Sequence, residues 1–245
     1  MRIEIVDDYE MLSKRAATLV LEAVAQKPEL VLALPTGNTP IGMYKELVKA
    51  YRDGRTDISR LWAFALDEYA GVAPEDEHSF AFFLRHHFID QVGLGDRFDH
   101  LHGNAPDLAA ECIRYEQAIL AKGGLDLAVL GLGVNGHIAF NEPGTAFDSR
   151  AHVVDLAAST REANAGYFPD GFRIPDKGVT MGIGTVLGAD KILVIASGKN
   201  KAPIVDRIIN SDPTTDIPAS ALKNHPHVLL LLDEDAASEY KRRLA

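Results

Sequence analysis

The chain has 245 residues, 47% hydrophobic and 24% charged, with a formal net charge of −10 at pH 7. That length supports one large α/β domain with a sizeable core, and the acidic balance argues against nucleic acid or an anionic membrane as the main partner. The single cysteine, Cys112, rules out an intramolecular disulfide and fits a reducing compartment.

In chain order, strands are predicted at residues 2–6, 30–34, 61–66, 125–130, 152–155, 191–196 and 228–232, from apolar runs or alternation. Helices are predicted at residues 9–26, 40–53, 79–90, 106–122, 160–164, 201–209 and 235–244. Strand and helix alternate at βαβ spacing, which predicts a mostly parallel sheet with helices on both faces. The first strand reads as a strand and not as a signal peptide, and no apolar run is long enough to span a bilayer, so the expected location is the cytoplasm. Thr39 before Pro40 reads as a capped helix start. Leu108, Cys112, Tyr115 and Ile119 form one helical stripe, which makes Cys112 a core residue and not a nucleophile. Residues 166–178, rich in Pro and Gly, read as a surface loop and a lid. With no repeat and no linker-like tract, residues 1–245 form a single domain on this reading.

Four segments at strand ends point to chemistry. Thr36-Gly37-Asn38-Thr39-Pro40 puts hydroxyls, a glycine and free helix-start amides in one turn, a good anion cradle. It is no Walker loop, because the lysine after the glycine is missing. Asp67-Glu68 ends an apolar run, and strand alternation lets only one of the two carboxylates face a given cleft. Ser197-Gly198-Lys199-Asn200-Lys201 offers two lysines to a phosphate. Gly131-Leu132-Gly133-Val134-Asn135-Gly136-His137 is glycine-dense and delivers His137 five residues before Glu142. A neighbouring carboxylate orients an imidazole and holds its pKa near neutral, where it both takes and gives protons. Taken singly, each segment reads as readily as a capped turn or a solvated loop. Together they lie at one sheet edge, where their side chains can converge. The nine histidines, including His86-His87 and His225-Pro226-His227, lack metal-ligand spacing, so no metal is expected.

These motifs resemble the glucosamine-6-phosphate deaminase family over nearly the whole chain, most specifically in Asn135-Gly136-His137 followed by Asn141-Glu142-Pro143. Ser159-Thr160-Arg161-Glu162-Ala163-Asn164 and Thr180-Met181-Gly182-Ile183-Gly184-Thr185 add to the match. The resemblance implies a single-domain modified Rossmann-like αβα sandwich. It also implies conversion of glucosamine 6-phosphate and water to fructose 6-phosphate and ammonia without metal or organic cofactor. In that pattern Asp67 is the enolisation base, its pKa raised by burial. His137 opens the sugar ring, Glu142 orients His137, and Asn135 assists ring opening. The phosphate sits on Thr36, Gly37, Asn38, Thr39 and Lys201.

Three departures from the family pattern stand out. Asn135 replaces an aspartate found in many members. Gly166 stands where the family usually has a phosphate-binding arginine, for which Arg173 is the expected substitute. His152 and Val154 occupy positions that are basic in allosteric hexamers, and the chain ends early, at Ala245. A monomer or small homo-oligomer with no response to N-acetylglucosamine 6-phosphate is therefore expected. The rival enzyme is a 6-phosphogluconolactonase-like hydrolase, disfavoured by Tyr69 after Asp67-Glu68 and by the Phe140-Asn141-Glu142-Pro143 segment. The rival from another class is a non-catalytic sugar-phosphate sensor, disfavoured because the first strand at Arg2 leaves no room for a preceding DNA-binding segment.

Overall fold

The computed structural model describes residues 1–167 and 174–244. Seven strands form one sheet in the order β1 (Arg2–Val6), β10 (Val228–Asp233), β9 (Lys191–Ala196), β6 (Leu127–Leu130), β2 (Val31–Leu34), β3 (Trp62–Ala65) and β5 (Phe98–Asp99). Every pairing in it is parallel. Parallel sheets are covered on both faces, and alternate residues show it here. Val31, Ala33, Phe64, Ala128, Val194 and Leu230 pack with Cys112, Tyr115 and Ile119 of α4 (Leu108–Ala121) and with Ile204, Val205 and Ile208 of α7 (Ala202–Asn210). Leu32, Leu34, Ala63, Val129, Ile195 and Leu231 pack on the opposite face with α1 (Tyr9–Gln26) and α2 (Ile41–Arg52). The αβα sandwich expected from the alternation is what forms. Cys112 lies in the core, and burial pushes its thiol up to about 11.

Chain order reverses between β2 and β6. From β2 the chain runs outward through β3 and β5, then crosses back to place β6 on the other side of β2. Loops leaving β2 and β6 therefore part at the carboxyl edge and open a crevice. The loops after β9 and β3 flank it, because β9, β6, β2 and β3 are consecutive neighbours.

A second, antiparallel sheet sits over this edge: β4 (Asp67–Tyr69), β8 (Lys177–Thr180) and β7 (His152–Asp155). Residues 152–155 were expected in the parallel sheet and belong here instead. Residues 177 and 178, read as loop, are the start of β8. The small sheet packs through its own aromatic cluster, with Tyr69, Phe80 and Phe140 ring centroids 4.7 to 5.4 Å apart. The predicted helix at 79–90 is shorter and composite. Ser79 caps α3 (Phe80–Leu84), which widens into a π turn over Arg85–Ile89. Short helices α5 (Ala158–Asn164), α6 (Ile183–Leu187) and α8 (Ser238–Leu244) and short 3-10 turns account for the other helical segments of the described chain. The start of α2 departs from expectation too, since no side chain caps it and Thr39 does not serve.

Candidate active site

A cavity of about 470 Å³ occupies the crevice. Thr36, Gly37, Asn38 and Thr39 line it from the turn after β2, Asp67 from β4, and His137 from the loop after β6. Lys201 lines it from the turn after β9. The four strand-end segments thus converge on one space, as their shared sheet edge predicts.

Asp67 and Glu68 are adjacent, and the strand turns them to opposite duties. Asp67 lines the cavity, and its carboxyl has no hydrogen bond among the described residues. Burial holds its pKa well above the usual carboxylate range, and the nearby Glu68 carboxylate adds to that. Glu68 accepts hydrogen bonds from the Ser79 hydroxyl (2.6 Å) and from the amides of Tyr69, Phe80 and Ala81 (2.8, 3.1 and 3.1 Å). It fastens the start of α3 to β4, and so to the wall of the cavity.

The imidazole of His137 packs against Gly133. A methyl group at position 133 would lie 2.4 Å from ring atoms, so only glycine fits there without moving the ring. Thr160 Oγ1 is 3.3 Å from Nδ1, and Glu142 Oε2 is 3.8 Å from the same nitrogen. The carboxylate acts on the ring at ion-pair range, with the threonine hydroxyl nearer. Glu142 is itself fixed, accepting from Asn135 Nδ2 at 2.9 Å and from the Ala157 amide at 3.2 Å. Asn135 also accepts from the His137 backbone amide at 3.0 Å. It therefore buttresses the histidine's partner and backbone, and its amide is bonded to neither ring nitrogen.

The expectation of a near-neutral His137 pKa is overturned. Burial drives the pKa down to about 4, the Glu142 charge opposes that fall, and the Lys201 charge reinforces it. Desolvation wins because the carboxylate stands off from the ring, so His137 is a neutral imidazole at pH 7, ready to accept a proton.

The far end of the cavity is built from backbone turns. Lys201 is half-buried at the turn leading into α7, and burial lowers its pKa from the usual lysine value. Lys199, the other lysine of that turn, points away and lies 4.0 Å from Asp235, with its side chain 80% exposed. Asp233 at the end of β10 pins this turn, accepting from the Ser197 hydroxyl (2.5 Å) and the Gly198 amide (3.1 Å). Arg173 lies outside the described residues. Gly166 is exposed, with open space where a side chain would start.

Several contributors were not read from the sequence. Asn141 donates to the carbonyls of Ile138 and Met181 (2.9 and 2.8 Å), and the Phe140 amide donates to Thr180 Oγ1 (3.1 Å). These bonds clamp the histidine loop to the small sheet. Ala139 lines the cavity with φ 49°, a left-handed conformation costly for a residue with a side chain. Ser79, Phe80, Phe83, Asn164 and Asn200 also line the cavity. Only the NGH and NEP motifs hinted at this loop architecture, because its bonds join residues about 40 positions apart. Among the described residues no group of three or more His, Cys, Asp or Glu is arranged to hold a metal ion.

A neutral imidazole and an unpaired carboxyl in one crevice, beside a lysine and a glycine-bearing turn, define an α/β protein with acid–base groups at its sheet edge. Residues 7–230 match the family model described as glucosamine-6-phosphate isomerases/6-phosphogluconolactonase. The glucosamine-6-phosphate deaminase of Bacillus velezensis is 48% identical over 230 residues, covering 94% of this chain and 95% of that protein. That of Thermoanaerobacter pseudethanolicus is 42% identical, covering 97% and 94%. A solved monomeric glucosamine-6-phosphate deaminase superposes with a TM-score of 0.95 at 42% identity, covering 98% of this chain and all of that one. The 6-phosphogluconolactonase of Trypanosoma brucei, at 20% identity and a TM-score of 0.75 over 97% of each chain, shares the fold. The chain belongs to the glucosamine-6-phosphate isomerase/6-phosphogluconolactonase family.

Proposed function

We propose that the chain converts glucosamine 6-phosphate and water to fructose 6-phosphate and ammonia. The observation that carries this reading is the pairing, in one cavity, of an unbonded buried carboxyl at Asp67 with a neutral imidazole at His137. The deaminases at 42–48% identity support the substrate. His137 takes the proton of the anomeric hydroxyl and returns it to the ring oxygen, opening the sugar. Glu142 stabilises the transient imidazolium across 3.8 Å, and Asn135 holds Glu142 in place. Asp67 then removes the proton on carbon 2, leaving an enolamine, and delivers it to carbon 1. The resulting imine is hydrolysed by water to ketone and ammonia. A pKa raised by burial makes Asp67 a stronger base once ionised.

Thr36, Gly37, Asn38, Thr39 and Lys201 hold the phosphate and orient the reacting carbons. Arg173 supplements them in place of the family arginine absent at Gly166. No metal or organic cofactor takes part in this scheme. We read residues 1–245 as one domain and the protein as a monomer or small homo-oligomer, in line with the monomeric relative. His152 and Val154, at positions basic in allosteric hexamers, support hyperbolic kinetics with no response to N-acetylglucosamine 6-phosphate. The lone buried thiol of Cys112 supports a reducing cytoplasm.

The test is ammonia release from glucosamine 6-phosphate, set beside hydrolysis of 6-phosphogluconolactone, with Asp67→Asn as control. Ammonia release lost in the control supports the proposal. Lactone hydrolysis without ammonia release turns the assignment to the lactonase branch, and binding without either turnover turns it to a sensor.

A further inference from the structure

A second cleft, of about 330 Å³, lies between α2 and residues 85–91. Lys45, Lys49, Arg52, His86 and His87 line it around Val48. Asp53, the acidic residue of the lining, lies 3.5 Å from Arg55. Arg52 donates to the neutral amide of Gln91 at 2.5 Å. Among the described residues, none of Lys45, Lys49 and Arg52 has a carboxylate partner. Three such cations converge on one groove in a chain with 35 acidic and 25 basic side chains. Like charges held together raise the local positive potential and favour an anion between them.

Two features set this cleft apart from an ordinary solvated face. Lys49 and Arg52 sit in the last turn of α2, where cations offset the helix dipole, but Lys45 lies one turn earlier, outside the reach of that effect. The π turn over Arg85–Ile89 supplies the second feature. His86 and His87, adjacent in this turn, both line the cleft, with ring centroids 4.9 Å apart; such π turns are rare and occur often at functional sites. Burial lowers the pKa of His87, and His86 and Lys45 lower it further, in keeping with a concentrated positive field.

Lys45, Lys49 and Arg52 follow at i, i+4 and i+7 along one stripe of α2, which spans about 10 Å at 1.5 Å per residue. A stripe of that length matches two linked phosphates better than one. We propose that this cleft is a second anion site, separate from the active cavity, for a small molecule bearing a diphosphate. The two cavities share a wall: Phe83 lines the active cavity, and its ring centroid lies 4.4 Å from that of His87.

Calorimetric titration with inorganic pyrophosphate tests the assignment, using the intact chain, Lys201→Ala, and the double variant Lys45→Ala/Lys49→Ala. Two equivalents are expected for the unaltered chain. Lys201→Ala should weaken one of them, and the double variant should weaken the other at least tenfold while its circular dichroism stays unchanged. Orthophosphate should bind the cleft at least tenfold more weakly than pyrophosphate. A single equivalent removed by Lys201→Ala overturns the second site and leaves the active cavity standing. Equal affinity for the two anions overturns the diphosphate assignment. Should the double variant fail to fold, Arg52→Gln serves in its place, and unchanged pyrophosphate binding in it overturns the proposal.

Discussion

The two ends of the active cavity are built by different means. The end proposed to hold the phosphate consists of turns that leave β2 and β9 directly, so its shape follows from the parallel sheet. The end proposed for proton transfer hangs on the small antiparallel sheet and on a loop clamped by side chains, with Asn141, Thr180, Glu68 and Asn135 each holding a neighbour in place. Binding geometry is thus inherited from the fold, whereas reactive geometry depends on a few buried polar bonds. Damage at the first end should register in KM, and damage at the second in kcat.

The sharpest break is Asp67→Asn, which keeps shape and removes the proposed base. A drop in kcat of about 10³-fold with little change in KM is expected in ammonia-release assays. In the unaltered chain kcat/KM should fall as pH drops through the Asp67 pKa, because the proposed mechanism uses the carboxylate. That limb should lie above the ordinary carboxylate range. Gly133→Ala follows, since the added methyl meets the His137 ring at 2.4 Å and displaces it. A loss of about 10²-fold in kcat is expected, with the displaced ring visible in a crystal structure.

At the other end, Lys201→Ala should raise KM about 10- to 100-fold, the worth of one charge-assisted hydrogen bond, and spare kcat. Because the Lys201 pKa is lowered, KM of the unaltered chain should climb with rising pH before an ordinary lysine would lose its proton. That climb should vanish in the variant. A smaller effect is expected of Asn135→Asp, which sets a second carboxylate beside Glu142. The extra negative charge should lift the His137 pKa above about 4, as read by NMR titration. A value that does not move would remove Asn135 from the ring-opening group. The smallest is Gly166→Arg. The site has open space, and a few-fold lower KM is expected if the family arginine can be restored.

The same division explains what the sequence discloses. β1, β7 and β9 were bounded correctly from apolar runs or alternation alone, and the cavity followed from strand ends followed by glycines. The small sheet was not foreseen as a sheet. β4 is Asp-Glu-Tyr, with no apolar alternation to announce it. β8 carries Gly178, which punctuates a sequence like a loop, yet its missing side chain makes room for the Phe140 ring, 2.7 Å from where a methyl would sit. The His137 pKa was misjudged for a related reason. Spacing placed Glu142 near the histidine, but no local pattern told that the carboxylate stands 3.8 Å off while desolvation of the ring outweighs its charge.

β4 is three residues long, and its register against β8 helps decide which of two neighbouring acids lines the cavity. The Ser79 hydroxyl and the amides of Phe80 and Ala81 seize Glu68 and act as a bolt against shear. A single inserted or deleted residue just ahead of Asp67 would barely alter composition or charge, yet it would set the β4 register against the bonds that hold Glu68. Length polymorphism at that junction is where a faithful-looking copy of this chain would fall silent.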